Sequence, residues 1–292
     1  MIFQILLKRS TVKLLRRASL LSLGWIFACS LSNFSLAASD IHYQAFEQPS
    51  SIVHTVTIAA RSDYLITTSV AAELVSLKKF ATANKAVAAI NGGYFDPQNQ
   101  KTTSYITKNN SLAADPRLNE RLIDNPDLKQ YLGKILNRAE FRRYRCAETN
   151  RYDITSHSTA VPDGCVLQDA LGAGPQLLPL DTSIAEGFVA YENNQLIRDA
   201  IGINSLNARS AVAITAQGDI IFAMVEQTTV GDSGMSLPSL ASFLQGLGAV
   251  KAMNLDGGSS SSLYYQGQIY YGKLNRQGNQ IERPLKSTLI VF

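Results

Sequence analysis

Two stretches of this 292-residue chain end an apolar run in a polar side chain followed by paired glycines. The first is Ala89-Ile90-Asn91-Gly92-Gly93; the second is Asn254-Leu255-Asp256-Gly257-Gly258. A glycine pair lets a ligand approach the main chain closely, and the amide hydrogens of such a turn can point at an anion. Asn91, Asn254 and Asp256 would then stand in fixed positions at the rim of a cleft. Ser259, Ser260, Ser261 and Ser262 follow the second turn with hydroxyls that donate or accept. One such turn is an ordinary chain reversal. Two of them, both closing buried strands, point to a shared site.

The elements that must hold these turns are mostly strands. Ala86–Ile90 reads as a short buried strand ahead of the first turn, and Val250–Leu255 as one ahead of the second. Residues 39–68 read as an entry segment with strands. Residues 70–83 have helical spacing, with Val70, Leu74, Leu77 and Phe80 near one face. Ala211–Thr215 and Ile220–Glu226 flank Gln217-Gly218-Asp219, a hairpin signal. Ser236 precedes Leu237, Leu240, Leu244 and Leu247, the pattern of one capped amphipathic helix. Leu263–Tyr271 and Ser287–Phe292 close the chain as strands. Residues 96–165 differ, with several Pro turns, many charges, and Leu128, Leu132, Ile135, Leu136 and Ala139 at helical spacing behind Asn125 or Asp127 as cap. The expected fold is α+β: a mixed or antiparallel strand-rich core with a helical insertion at 96–165.

The first 37 residues read as a secretory signal peptide, leaving 38–292 as one domain. Lys8, Arg9, Lys13, Arg16 and Arg17 precede the apolar run Ala18–Leu31, and Leu36-Ala37-Ala38 offers small residues for cleavage. The alternatives are an uncleaved anchor helix or a lipid on Cys29. Of 27 basic residues these five leave 22 against 23 acidic ones, so the +4 charge belongs to the leader. A near-neutral remainder argues against nucleic-acid binding. With 46% apolar and 17% charged residues, the chain is globular in composition. Cys146 and Cys165 remain beyond the leader, an even pair that in an oxidising compartment closes a disulfide; two separate buried thiols are the alternative. The expected localisation is exported, periplasmic or secreted, with no membrane span in the mature chain.

The order of motifs resembles that of the phosphodiester glycosidase family. NGGYF at 91–95 and NLDGGSSSSL at 254–263 are similar to its signature turns. Gly172-Ala173-Gly174-Pro175 resembles its Gly-x-Gly-Pro element, and Asn207-Ala208-Arg209-Ser210-Ala211 its Arg-[Ser/Thr]-Ala strand. The helix at 237–247 and the Arg283-Pro284…Ser287-Thr288 segment follow in order. The resemblance spans roughly 85–292, with 96–165 a poor match. Two positions depart from the family's pattern. Ser259 stands where a third glycine is common, and the strand after Arg209 ends in Val225-Glu226-Gln227 rather than an Asp-Gly pair.

The resemblance implies a glycosidase-type hydrolase of the phosphodiester α-N-acetylglucosaminidase kind, acting on a sugar phosphate or glycan. A glycosidase ordinarily uses two carboxylates, here Asp256 and Glu226, with Asp96 third. A phosphate leaving group has a second ionisation near pH ~6 and needs charge stabilisation more than protonation. Arg209 is the candidate clamp and Arg283 the second. The substrate-binding set is Asn91, Gly92, Gly93, Tyr94, Gly174, Asn254, Gly257, Gly258, Ser259, Ser260 and Arg283, and Phe95 is an alternative to Tyr94 for stacking on the sugar. No cofactor motif is evident, while carboxylate oxygens at Asp256 or Asp96 suit a hard divalent cation. Two other classes compete. A noncatalytic binder of envelope glycans or phospho-glycans would use the same turns. A serine hydrolase lacks a GxSxG elbow, and His42, His54 and His157 lie far from the serine run in sequence.

Overall fold

A computed structural model describes residues 40–292. The signal peptide expected at 1–37, with Cys29, lies outside the described residues. Strands dominate, and their pairings are antiparallel. With few and short helices, the chain is closer to all-β than the expected α+β.

A six-stranded sheet runs Ile41–Gln48, Ser51–Ile58, Ile220–Gln227, Arg209–Thr215, Ala249–Asn254, Gln176–Leu178 in spatial order. Its central strands carry the continuous apolar runs Ala211–Ile214 and Ile220–Val225, so alternation sends half of each run to each face. Val212, Ile214, Phe222 and Met224 join a core shared with the other two large sheets. Ala211, Ala213, Ile221, Ala223 and Val225 pack under the helix Leu237–Gly246 through Leu237, Leu240 and Leu244. Ser236 caps that helix, its hydroxyl accepting from the Ser239 amide at 3.2 Å.

A five-stranded sheet runs Gln268–Tyr271, Ser262–Tyr265, Ala88–Asn91, Leu285–Val291, Ile66–Val75. Ala88 and Ile90 face the shared core, while Ala89 and Ile290 face the helix Leu77–Ala83. The helix expected over 70–83 is therefore half strand. The β-branched run Ile66-Thr67-Thr68 leads a strand paired along Leu285–Val291. Helix begins only after Ser76, whose hydroxyl accepts from the Lys79 amide.

The helical insertion expected at 96–165 is corrected. That stretch supplies most of a second five-stranded sheet, ordered Ser111–Ala114, Ile106–Lys108, Cys165–Gly172, Ala139–Cys146, Thr149–Ser156. Asn125 does cap a turn, but only the 3-10 turn Pro126–Tyr131 and the single turn Leu132–Ile135 follow before Ala139 opens a strand. Charges concealed this strand. Glu140, Arg142, Arg143 and Asp169 are buried, with Arg142 bonded to Glu140 at 2.7 Å and Arg143 paired to Asp169. Mutual pairing lets charges occupy an interior that polarity patterning assigns to the surface. Cys146 and Cys165 form a disulfide directly across two of these strands.

Candidate active site

The strands Ala88–Asn91 and Ala249–Asn254 belong to different sheets, and their two Gly-Gly turns meet. Gly92 accepts from the Asp256 amide at 3.0 Å. Asn91, fully buried, donates from Nδ2 to the Asp256 carbonyl at 2.6 Å. Its Oδ1 accepts from the Ser210 hydroxyl at 2.6 Å and the Ser262 amide at 3.1 Å. Three segments are thereby locked to one amide side chain.

A pocket of about 180 Å³ opens at this junction, lined by Tyr94, Ile201, Asn207, Arg209, Asn254, Asp256, Gly257 and Gly258. Asp256 is the only carboxylate among those lining residues. Burial pushes its pKa up to about 6, against the Ser260 hydrogen bond, the Arg283 charge and the Gly257 amide, which pull it down. Asn254 donates from Nδ2 to the Tyr94 hydroxyl at 2.7 Å and to the Leu255 carbonyl at 2.6 Å. Its buried Oδ1 has no partner among the described residues. The Tyr94 hydroxyl donates to the Gly174 carbonyl at 2.9 Å. Burial, reinforced by the Asp256 charge, raises the Tyr94 pKa well above a phenol's usual range. Gly258 sits at φ +59°, a backbone that suits glycine, and a Cβ there would stand in nearly open space. Ser259 needs no such freedom, since it lies in the short turn Gly258–Ser260.

The expected site residues separate by position. Asp256, Asn254, Tyr94, Gly257, Gly258 and Arg209 line the pocket. Ser259, Ser260 and Arg283 stand behind the Asp256 turn: Arg283 donates to the Ser259 hydroxyl at 2.8 Å and lies 5.2 Å from the centre of the Phe95 ring. Gly174 contributes main chain to the Asn254–Tyr94 network. Asn91, Gly92 and Gly93 are buried away from the pocket. A Cβ on Gly93 would stand 2.1 Å from the Gly172 carbonyl oxygen, so its smallness admits a neighbouring strand rather than a ligand.

Glu226 and Asp96 lie outside the lining. Glu226 Oε2 is 2.7 Å from His54 Nε2, and Oε1 accepts from Gln280 at 2.9 Å. His54 Nδ1 in turn meets the Tyr43 hydroxyl at 2.7 Å. Burial alone would raise the Glu226 pKa, but the His54 and Gln280 bonds lower it. Asp96 pairs with Arg121 at 2.6 Å and caps the Gln98 amide. Arg209, 2% exposed, spends its guanidinium on main-chain carbonyls: Met235 at 3.1 Å, Ile201 at 3.0 Å, Gly202 at 2.5 Å and Ser205 at 2.8 Å. It builds the Ile201–Ser205 wall of the pocket and keeps one N–H of five uncommitted. Sequence reasoning missed Ile201 and the place of Asn207 in the pocket lining, where Lys273 donates to its Oδ1 at 2.9 Å. Asn207 stood two residues before Arg209 in a motif already singled out; Ile201 and Lys273 left no signal. No cluster of three or more His, Cys, Asp or Glu among the described residues is arranged to hold a metal ion.

Residues 84–292 match the family model described as phosphodiester glycosidase. No curated protein matches the chain significantly. Three solved structures share its fold at low identity. A hypothetical protein from Synechocystis aligns with TM-score 0.57 and 18% identity, over 87% of this chain and 62% of its own, so the chain spans less than two thirds of that protein. The zebrafish N-acetylglucosamine-1-phosphodiester α-N-acetylglucosaminidase catalytic domain, auto-inhibited by its pro-peptide, aligns with TM-score 0.61 and 18% identity, over 89% and 84%. A protein described as exported, from Burkholderia pseudomallei, aligns with TM-score 0.60 and 14% identity, over 83% and 74%.

Proposed function

The chain belongs to the phosphodiester glycosidase family, and from that premise we propose that it hydrolyses the bond between a sugar's anomeric carbon and a phosphodiester oxygen. The observation that carries this reading is Asp256, the one carboxylate lining a small pocket that Tyr94, Asn207 and Asn254 also line. The partly exposed Asn207 amide offers its Nδ2 to a sugar hydroxyl or an acetamido carbonyl. Tyr94 supplies an adjoining ring face.

In this reading Asp256 in its ionised form takes a proton from water. The water oxygen bonds to the anomeric carbon as the bond to the phosphoryl oxygen breaks, and its electron pair leaves with the phosphate monoester. One carboxylate is enough because that monoester ionises near pH ~6 and departs without a proton. Glu226, held by His54 and Gln280, anchors strands in this reading rather than serving as the second catalytic carboxylate.

The disulfide and the kinship in fold with a protein described as exported support an oxidising, extracytoplasmic compartment. No helix among the described residues is long and apolar enough to cross a membrane.

The lone carboxylate also favours a second reading, a phospho-glycan binder without turnover. Residues 38–292 and their Asp256→Asn variant, incubated with a panel of sugar-1-phosphodiesters, separate the two. Free sugar released by the parent and not the variant supports hydrolysis. Binding by both proteins with no sugar released by either would sink it in favour of the binder.

A further inference from the structure

We propose that Arg138 receives the anionic phosphoryl group of the ligand beside the Tyr94–Asp256 pocket, a step that rests on the phosphodiester reading of that pocket. Arg138 lies between the turn Leu132–Ile135 and the strand Ala139–Cys146 and is 6% exposed. Its guanidinium carbon stands 3.7 Å from the centre of the Phe188 ring and 5.8 Å from that of Tyr94. Tyr94 thus lies against both the pocket and this cation.

The fork of Arg138 is unspent. Nε donates to the Glu186 carbonyl at 3.3 Å. Its two terminal nitrogens donate to no group among the described residues, and neither is sealed from solvent. The other buried arginines differ. Arg142 is held by Glu140 and the carbonyls of Ser156, His157 and Thr159; Arg143 by Asp169 and Asn150; Arg209 by four carbonyls.

Nor does Arg138 have an ion-pair partner within 4.0 Å among the described residues. The acid that acts on it is Glu186, whose carboxylate is occupied by the Ala139 amide at 3.0 Å, the Gln176 amide at 2.9 Å and the Thr182 hydroxyl. Arg198, also nearby, is a like charge. Burial accordingly pushes the Arg138 pKa down to about 10, which still leaves it cationic at neutral pH.

A buried cation without a counter-ion is costly, and an arriving anion relieves that cost. Stacking on Phe188 fixes the guanidinium plane and leaves its in-plane N–H edge for bidentate contact with two phosphoryl oxygens. Arg138 is in this way the specificity-determining residue for a charged aglycone, while Asp256 serves the anomeric centre.

The test compares Arg138→Gln and Arg138→Lys with the parent on a sugar-1-phosphodiester and on a neutral aryl glycoside of the same sugar. Loss of one charge-assisted bidentate contact should raise KM for the phosphodiester about tenfold or more in Arg138→Gln. The neutral substrate should change less than about threefold, and Arg138→Lys should recover part of the loss. Equal losses on both substrates from folded variants overturn the proposal. A second measurement needs neither variant nor turnover: phenylglyoxal labelling of Arg138 in the parent protein, read by mass spectrometry, with and without a sugar 1-phosphate. Protection by the sugar 1-phosphate supports the assignment even where no substrate is hydrolysed, which isolates failure of the activity reading from failure of this one. Labelling that is absent, or unchanged by the ligand, overturns it.

Discussion

The side-chain amide of Asn91 donates to the main-chain carbonyl of Asp256 at 2.6 Å, across 165 residues of sequence. The same side chain accepts from Ser210 and from the Ser262 amide. Asn91 therefore positions the pocket's carboxylate without lining the pocket. Asn91→Ala leaves three buried polar groups short of a partner. A destabilisation of about 2–4 kcal/mol in urea unfolding is expected from such a deletion. Hydrolysis should fall mainly through kcat, since the substrate's own contacts remain. A folded variant with unchanged kcat would show that the turn is held by other means.

The pH dependence of hydrolysis reports Asp256. With its pKa raised to about 6 by burial, the ionised form required of a base disappears on acidification through that value. The logarithm of kcat/KM should rise with unit slope below pH about 6 and level off above it. A phosphodiester keeps its single charge over this range, so the limb belongs to the protein. A rate that instead increases toward pH 5 would assign Asp256 the role of acid.

The same carboxyl bears on stability with a definite sign. A folded pKa raised above the ordinary 3.8 means that the native state binds the proton more tightly than the unfolded chain. Stability from this group is greatest below pH 3.8 and is lost as pH rises to about 6. Asp256→Asn should accordingly raise the melting temperature at pH 7.5, by an amount on the order of 3 kcal/mol in free energy. The gain should shrink toward pH 4. A variant less stable than the parent at pH 7.5 would mean that the Ser260 and Gly257 bonds outweigh the burial penalty.

Glu226→Gln tests the separation of the two carboxylates. The lowered Glu226 pKa gives the opposite sign, a contribution present above the ordinary carboxylate pKa and lost as pH falls below it. The variant should lose about 1–3 kcal/mol near neutral pH, because buried His54 loses its charged partner. Hydrolysis at saturating substrate should stay within about threefold of the parent, as fits a residue outside the pocket. A hundredfold loss of kcat would return Glu226 to the chemistry.

Removing the disulfide should separate stability from activity. Cys146→Ser with Cys165→Ser opens a loop with a sequence separation of 19. A loss of about 3 kcal/mol is expected from the chain-entropy model. The pocket is built by other sheets, so kcat/KM at a temperature where the variant is folded should be unchanged.

What the amino-acid order alone determined is local. The Arg209–Thr215 and Ile220–Gln227 hairpin, the Ser236-capped helix, and both strand–Gly-Gly turns follow from periodicity, capping and turn chemistry, which act within about ten residues. The strand hidden in 139–146 was illegible because its interior charges are paired, Arg142 with Glu140 of the same strand and Arg143 with Asp169 of another. Asp256 was legible as a candidate, and that it is the one carboxylate among the residues lining its pocket was not. Glu226 sits within the strand Ile220–Gln227, and its partners His54 and Gln280, both distant in sequence, hold it outside the lining. The motif singles out Arg209, yet four main-chain carbonyls take its guanidinium, while Arg138 carries no sequence signal. The type of a guanidinium is written in the chain, but whether carbonyls consume it or leave it open is decided only when distant segments pack around it. A hydrogen-bonding group acts on ligands only with the capacity its neighbours leave unused.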